Sequence, residues 1–187
     1  MIPKLVRPRR LADQRGWFCE TYNVQALAEI GIADVFVQDN HSFSQHAGTL
    51  RGIHCQAPPH AQAKLVRCSA GAVFDVAVDL RRRSPTFGRW VGARLTAEGG
   101  EQLFVPVGFG HGFVTLTDAA EVQYKCSALY APASEAGVIW NDPAMAIDWP
   151  LPTGGPVLSD KDAVLPRLDA FPEIFPFDGN PLAPLEN

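Results

Sequence analysis

The residues best suited to chemistry in this sequence lie in one window, residues 50–67. His54 can accept a proton near neutral pH, because the unperturbed pKa of histidine is the closest of any side chain to neutrality. Three cations, Arg51, Lys64 and Arg67, lie in the same window. A fixed cation can stabilise negative charge that develops in a substrate. The set suits removal of a proton from an acidic carbon of an anionic ligand; a partly exposed strand with one ordinary histidine is the alternative.

Three further segments carry side chains of chemical interest. Residues 104–113 place three glycines around His111, which suggests a turn that presents this histidine to a ligand where the next strand begins. Tyr124 and Tyr130 carry phenols that could donate a proton. Residues 158–162 could supply a carboxylate that orients His54. The structural alternatives are a barrel corner with a packed histidine, tyrosines held by one hydrogen bond, and a charged surface turn.

Composition predicts one soluble domain over residues 1–187. The 187 residues are 47% hydrophobic and 19% charged, and the net charge of −4 argues against general nucleic-acid binding. The basic run 81–83 is expected to form a solvated turn. No apolar run reaches the roughly 20 residues that span a bilayer, and the N-terminus lacks a signal-peptide pattern. We expect a cytoplasmic protein, without membrane association, whose scattered cysteines stay reduced: Cys19, Cys55, Cys68 and Cys126.

Strand patterns dominate the sequence and predict an all-β, antiparallel barrel or sandwich. In residues 73–80, apolar side chains alternate with Asp75, Ala77 and Asp79, which places these three on the other face. One short helix is predicted over residues 24–30, with Gly31 following it. From about residue 150 the chain is rich in proline, so we expect irregular structure with short helical turns and a loose end. The predicted strands are 17–22, 35–39, 50–56, 64–68, 73–80, 90–95, 102–105, 112–116 and 121–126.

The histidines do not form a metal-binding pattern. Metal-binding barrels of the cupin type usually contain two histidines separated by one residue, and no such pair occurs among the five in this sequence. This pattern leaves open a site assembled from residues distant in the sequence. We expect no metal.

Taken together, these segments resemble the dTDP-4-dehydrorhamnose 3,5-epimerase family. The resemblance runs from about Arg15 to about Pro166, and the order and spacing of its pieces make it specific. The pieces are residues 15–20 (RGWFCE), 38–42 (QDNHS), 48–54 (GTLRGIH), 62–66 (QAKLV), 106–113 (PVGFGHGF), 124–126 (YKC), 135–143 (EAGVIWNDP) and 159–162 (SDKD).

The resemblance implies a cupin-like antiparallel jelly roll with a few short helices, and a homodimer whose subunits share strands. It also implies epimerisation of a dTDP-4-keto-6-deoxy sugar without metal or organic cofactor. The ketone of such a sugar acidifies the hydrogens on C3 and C5. Removal of either proton gives an enolate, and return of a proton from the opposite face inverts that carbon.

The family pattern also assigns roles to individual residues. His54 is the expected proton acceptor and Asp162 its partner, although Asp160 lies close enough to be the alternative. Lys64 is expected to stabilise the enolate oxygen, and Tyr124 is the expected proton donor on the other face. The expected substrate-binding residues are Arg15, Glu20, Gln38, Asn40, Arg51, His111, Tyr130, Glu135 and Lys161.

Two departures from the family pattern leave the product open. Cys55 occupies a position where the family often has an aromatic residue. Residues 57–60 form a relatively stiff, proline-containing segment before Lys64. Both could alter the shape of the pocket. The alternatives are an enzyme that inverts one carbon or moves the ketone, and a jelly roll that binds sugar nucleotides without turnover.

Overall fold

The computed structural model describes residues 1–186, which fold into two five-stranded sheets and a hairpin. One sheet has the order β1-β9-β6-β11-β4, the other has the order β12-β5-β10-β7-β8, and β2-β3 form the hairpin. All pairings between these strands are antiparallel. The elements are β1 (Lys4–Val6), β2 (Arg10–Asp13), β3 (Gly16–Cys19), α1 (Val24–Glu29), β4 (Gln38–Ser44), β5 (Leu50–Gln56), β6 (Lys64–Ala70), β7 (Ala72–Asp79), β8 (Trp90–Thr96), β9 (Gln102–Val105), β10 (Phe109–Thr115), β11 (Ala120–Cys126), β12 (Glu135–Gly137) and α2 (Asp160–Ala163), with 3-10 turns at Pro132–Ser134 and Leu168–Ala170.

The inner faces of the two sheets pack against each other. Val66 and Val122 of the first sheet share a buried cluster with Val73, Ala77 and Phe113 of the second. Side chains on these strands alternate between the two faces, so each strand contributes every second residue to this core. The arrangement confirms the predicted all-β, cupin-like jelly roll with short helices.

The proline-rich segment after residue 150 covers the outer face of the second sheet. Phe171 and Phe175, with Trp149 just before the segment, pack on Val76 and Val78 of β7. The two alternating sets of side chains indicated by the sequence are present in β7, and both faces of this strand are buried. The segment is irregular with two short helical turns, as predicted. Its last residues nevertheless contact the protein through side chains as far along as Leu185, so the expected loose end is not confirmed.

Most predicted strands are present, and their bounds differ in instructive ways. Residues 50–56 and 102–105 are strands as predicted, whereas β10 already begins at Phe109. Gly110 and Gly112 do not form a turn. A Cβ atom on Gly110 would lie 2.4 Å from Ile53 Cγ2, and one on Gly112 would lie 2.7 Å from Ile53 Cδ1. Because these glycines lack a side chain, β10 can lie in close contact with Ile53. His111, between the two glycines, therefore lies within a strand and not in a turn.

Arg81 ties the last part of the chain to the jelly roll. Its guanidinium is 2% exposed and contacts both Asp79 and Asp178, at 2.8 Å in each case. Burial raises the pKa of the Asp79 carboxyl, but hydrogen bonds from Arg81, Ser84 and Thr86 lower it by a larger amount. The net shift of the pKa is therefore downward. The expectation of a solvated turn at residues 81–83 is therefore wrong for Arg81.

Substitution Arg81→Ala is expected to lower the free energy of unfolding by about 3–5 kcal/mol, because it leaves the buried Asp79 carboxylate without its partner. Arg83→Ala is the matched control. Arg83 is 78% exposed and pairs with Glu173 at the surface, so its loss is expected to cost less than about 1 kcal/mol. Urea denaturation of both variants measures the difference. Equal stability of the two variants would contradict the anchoring role of Arg81.

No helix among residues 1–186 combines the length and the apolar character needed to cross a membrane.

Candidate active site

A cavity of about 240 Å³ opens between the two sheets. Strands of both sheets and the short helix α2 contribute to its wall, so residues far apart in the sequence meet there. The wall is rich in cations and in groups that can transfer a proton. Its lining residues are Ser42, Arg51, His54, Lys64, His111, Phe113, Tyr124, Ser159, Lys161 and Asp162.

A register shift in β5 brings Arg51 and His54 to the same side. Residues three apart in a regular strand point to opposite faces. Here Arg51 pairs with Phe113 and His54 pairs with His111, so two residues of β5 lie opposite Gly112 alone. The bulge requires glycine at position 52, where φ is +117° and a Cβ atom would lie 2.6 Å from the Gly112 Cα. Both side chains therefore reach the cavity.

His54 and Asp162 form a closely paired dyad. The His54 Nε2 lies 2.5 Å from Asp162 Oδ1, and the Asp162 side chain is 5% exposed. Asp162 belongs to α2, where its backbone N–H donates to Ser159 Oγ at the helix start. Asp160 is exposed. The dyad partner in the structure is thus Asp162, the first of the two residues left open by the sequence.

The charge state of Asp162 leaves one nitrogen of His54 free to act. Burial raises the pKa of Asp162, but the hydrogen bond from His54 and the electrostatic effect of this residue lower it by a larger amount, so the net shift is downward. An ionised carboxylate only accepts hydrogen bonds, so His54 carries a proton on Nε2. Its Nδ1 is then the nitrogen that can take a proton from a ligand.

Lys64 and Tyr124 come from the first sheet and face the cavity from the side opposite His54. The Lys64 ammonium lies 6.0 Å from the centre of the Tyr124 ring. Burial lowers the pKa of Lys64, and nearby Cys126, Cys55 and Asp75 offset part of this shift. Burial raises the pKa of Tyr124, so its hydroxyl keeps the proton that it could donate. Groups able to accept and to donate a proton thus line opposite walls of the cavity.

Five of the predicted substrate-binding residues form a hydrogen-bonded chain beside the cavity. The Tyr130 backbone N–H donates to Gln38 at 2.8 Å, and the Gln38 amide donates to Asn40 at 3.0 Å. The Tyr130 hydroxyl donates to Glu135 at 3.1 Å, and Glu135 also pairs with Lys161. Burial raises the pKa of Glu135, but the contacts with Lys161 and Tyr130 lower it by a larger amount. The net shift is downward, so this carboxyl is ionised at neutral pH.

Two predicted residues neither line the cavity nor belong to the hydrogen-bonded chain beside it. Arg15 sits at the tip of the β2-β3 hairpin, where it is 85% exposed and pairs with Asp13. Glu20 follows the hairpin and accepts a hydrogen bond from Asn23. The single chain therefore brings together most of the predicted residues, but not these two.

Sequence reasoning also missed one residue next to the site. Asp75 is fully buried, and its Oδ1 lies 2.6 Å from the Nε2 of His111. Among residues 1–186, no group of three or more His, Cys, Asp or Glu side chains is arranged to hold a metal ion.

Comparison with known proteins decides the family. The family profile described as dTDP-4-dehydrorhamnose 3,5-epimerase matches residues 3–170. The chain belongs to the dTDP-4-dehydrorhamnose 3,5-epimerase family. It is 52% identical over 166 residues to the enzyme of that name from Salmonella typhimurium, covering 88% of this chain and 90% of the relative.

Solved structures of the epimerase family share the fold as well as the sequence. The closely similar dTDP-6-deoxy-D-glucose-3,5-epimerase from Legionella pneumophila, crystallised with dTDP-4-keto-L-rhamnose, superimposes with a TM-score of 0.88 at 45% identity. The match covers 93% of this chain and 92% of that structure. A protein from Streptomyces niveus named dTDP-4-dehydrorhamnose 3-epimerase is 47% identical over 163 residues, 86% of this chain and 77% of the relative. The epimerases similar to this chain thus include one named for a single carbon.

Proposed function

We propose that this chain is an isomerase that converts dTDP-4-dehydro-6-deoxy-D-glucose to dTDP-4-dehydro-L-rhamnose by inverting C3 and C5. The observation that carries the proposal is the placement of the His54–Asp162 dyad and Tyr124 on opposite walls of one cavity. Inversion of a carbon next to a ketone requires an acceptor on one face and a donor on the other.

In the proposed reaction His54 takes the proton through Nδ1. Asp162 holds the ring in the required tautomer and stabilises the imidazolium that forms, as the carboxylate does in other His–Asp pairs. The ammonium of Lys64 stabilises the negative charge that develops on the ketone oxygen as the enolate forms. Tyr124 then delivers a proton to the opposite face of the same carbon.

His54 then releases its proton to solvent and Tyr124 takes one up from solvent, which restores both groups. The same steps at the second carbon complete the double inversion. The reaction moves protons and leaves the oxidation state of the sugar unchanged, so the proposal includes no metal or organic cofactor. Arg51 and Lys161 line the same cavity and supply positive charge for the diphosphate of the substrate.

Product analysis tests the proposed function. The purified protein is incubated with dTDP-4-keto-6-deoxyglucose, and proton NMR coupling constants give the configuration at each carbon. The L-rhamno ketosugar is expected. Inversion at C3 or C5 alone would favour a single-carbon epimerase, the function for which the Streptomyces niveus relative is named. A shifted ketone would indicate a ketoisomerase, and unchanged sugar with bound dTDP would indicate a binding module.

We also propose that the active form is a homodimer in which the hairpin of each subunit completes the cavity of its partner. Every residue from Leu11 to Phe18 is exposed in the single chain. Leu11 and Phe18 pair across the hairpin and are 51% and 66% exposed, respectively. Exposed apolar side chains grouped in this way favour a protein–protein contact. Such a contact would carry Arg15 and Glu20 to a substrate held by the other subunit.

The dimer proposal predicts that Phe18→Asp yields a monomer of about 20 kDa by analytical ultracentrifugation, because a charge in an apolar contact is unfavourable. The wild-type protein is expected to sediment as a dimer. Val107→Asp is the control, since Val107 is an apolar residue that is 42% exposed and lies between β9 and β10 rather than in the hairpin. A monomeric wild type, or a Phe18→Asp variant that remains dimeric, would contradict the proposal.

We further infer a single domain in the cytoplasm. The C-terminal segment shares its apolar cluster with the second sheet, which supports one folding unit over the described residues 1–186. All four cysteines are free thiols, which is typical of a reducing compartment.

A further inference from the structure

Asp75 is a carboxylate placed in an apolar core. It lies on the inner face of β7 between Val73 and Ala77, both of which belong to the buried cluster between the sheets. Its exposure to solvent is 0%. Burial of an ionised carboxylate is unfavourable unless hydrogen bonds or charges compensate for the lost hydration.

The hydrogen bonds of Asp75 are incomplete. Its Oδ1 accepts from His111 Nε2 at 2.6 Å, while its Oδ2 has no hydrogen-bond partner among residues 1–186. Asp79, two positions along the same strand and equally buried, has both oxygens occupied, by Arg81, Ser84 and Thr86. Asp79 has the contacts of a structural carboxylate, and Asp75 does not.

The partner of Asp75 lies between the proposed base and the proposed acid. His111 is the register partner of His54 on the neighbouring strand. Its ring centre is 6.4 Å from that of Tyr124 on the opposite sheet. A sugar ring held between His54 and Tyr124 would therefore meet His111.

The contact with Asp75 decides which ring nitrogen of His111 is available to a substrate. A carboxylate accepts hydrogen bonds and does not donate them, so the ring proton of His111 must be on Nε2. The ring is then fixed in orientation, and Nδ1 remains for the ligand. Without the carboxylate the ring could rotate or adopt the other tautomer.

The charges around this pair come from several elements of the site. His54 and Arg51 face it from β5, and Lys64 and Tyr124 face it from the opposite sheet. Asp75 raises the pKa of Lys64 electrostatically, although burial lowers it by more. Removal of Asp75 would therefore leave the cavity with its cations and without one of its anions.

We propose that Asp75 is a positioning residue of the epimerase: it holds His111 in the Nε2-protonated tautomer and in the orientation that presents Nδ1 to the sugar. Asp75 does not touch the substrate and acts only through His111. The inference rests on the proposed function, because it assigns His111 a contact with the reacting sugar.

The first test is the tautomer of His111 in the wild-type protein, which ¹⁵N-edited NMR of the ring nitrogens measures without any turnover. Assignment uses the His111→Asn variant, whose spectrum lacks the corresponding signals. A proton on Nε2 bonded to Asp75 is expected. A neutral ring protonated on Nδ1 alone would overturn the proposal. This result does not depend on whether the protein epimerises the expected sugar.

The second test is Asp75→Asn, which keeps the shape of the side chain and offers an amide donor to His111. We expect kcat to fall by about 10- to 100-fold, as for other carboxylates that orient a functional histidine. The Kd for dTDP should stay within about threefold of the wild-type value, since the effect is on the reacting sugar. The ring proton of His111 should move from Nε2 to Nδ1.

Two controls separate positioning from structure. Asp79→Asn removes a buried carboxylate from the same strand, and it should reduce stability while leaving kcat and the His111 tautomer unchanged. The double variant Asp75→Asn/His111→Asn should be no slower than His111→Asn, because residues that act through one another are not additive. Additive losses would overturn the proposal. So would an Asp75→Asn variant whose kcat or His111 tautomer matches the wild type.

Discussion

The variant His54→Ala is expected to lose epimerisation by about 10⁴-fold or more in kcat, the loss that accompanies removal of a histidine base from comparable dyads. It should also lose solvent exchange of the hydrogens at C3 and C5. The physical reason is that the other cavity groups able to accept a proton are poorly suited to this step. In the proposed mechanism Lys64 and Tyr124 act as cation and donor, and His111 contacts the sugar without removing its proton. Asp162 is 5% exposed behind the histidine.

The fold and the affinity for dTDP should survive this substitution. His54 is 27% exposed, and its removal opens the cavity without disturbing the core between the sheets. His41→Ala is the matched control, because His41 lies on the outer face of the first sheet and pairs with Glu121. Exchange measured by NMR in deuterated water should match the wild type in His41→Ala. Exchange at the wild-type rate in His54→Ala would refute the assignment of the base.

The variant Tyr124→Phe is expected to separate proton removal from inversion. Loss of a general acid lowers a rate by about 10²- to 10⁴-fold, so the rate of product formation should fall in this range. His54 remains able to remove a proton and to return one to the same face after it has exchanged with solvent. Deuterium should therefore enter the starting sugar, which keeps its configuration. Mass spectrometry and proton NMR of the recovered sugar measure the two quantities.

Tyr130→Phe is the control for the phenol of Tyr124. Tyr130 is 55% exposed and donates to Glu135 at the side of the cavity. Its loss should weaken substrate binding through that contact and leave kcat within about tenfold of the wild type. If Tyr124→Phe forms product at the rate of Tyr130→Phe, then Tyr124 is not the donor.

The fold was predictable because its signals are local. Strand periodicity and frequent turn residues indicated an antiparallel jelly roll, and the structure confirms it. The strands that were missed, β1, β2 and β12, have three or four residues each, too few to produce a periodic pattern. The glycines of β10 were interpreted as a turn. The structure requires glycine there because the side chain of Ile53, distant in the sequence, leaves no room for a Cβ atom.

The site was predictable only where the chemistry lies in motifs. His54, Lys64, Tyr124 and Asp162 were predicted from the family pattern, and all four line one cavity. The contact of Asp75 was not predictable, since an acidic residue that alternates with apolar ones looks like a solvent-facing position. Its burial depends on two sheets and on a histidine 36 residues away.

Two other features of the site depend on long-range geometry. The bulge at Gly52, which brings Arg51 and His54 to one side, is set by the close approach of β10. Under the dimer proposal, the predicted roles of Arg15 and Glu20 depend on a second subunit, because both lie outside the cavity of one chain. A family pattern identifies substrate-binding residues but does not indicate to which subunit's cavity they contribute.

The central claim is that the protein removes a proton from each carbon beside the ketone and returns one to the opposite face. The most direct test is the wild-type reaction in deuterated water, with proton NMR and mass spectrometry of the product. The account predicts an L-rhamno ketosugar with solvent deuterium at both C3 and C5. An L-rhamno product with the original hydrogen retained at either carbon would contradict exchange through His54 and Tyr124, and no reaction at all would contradict the proposed function.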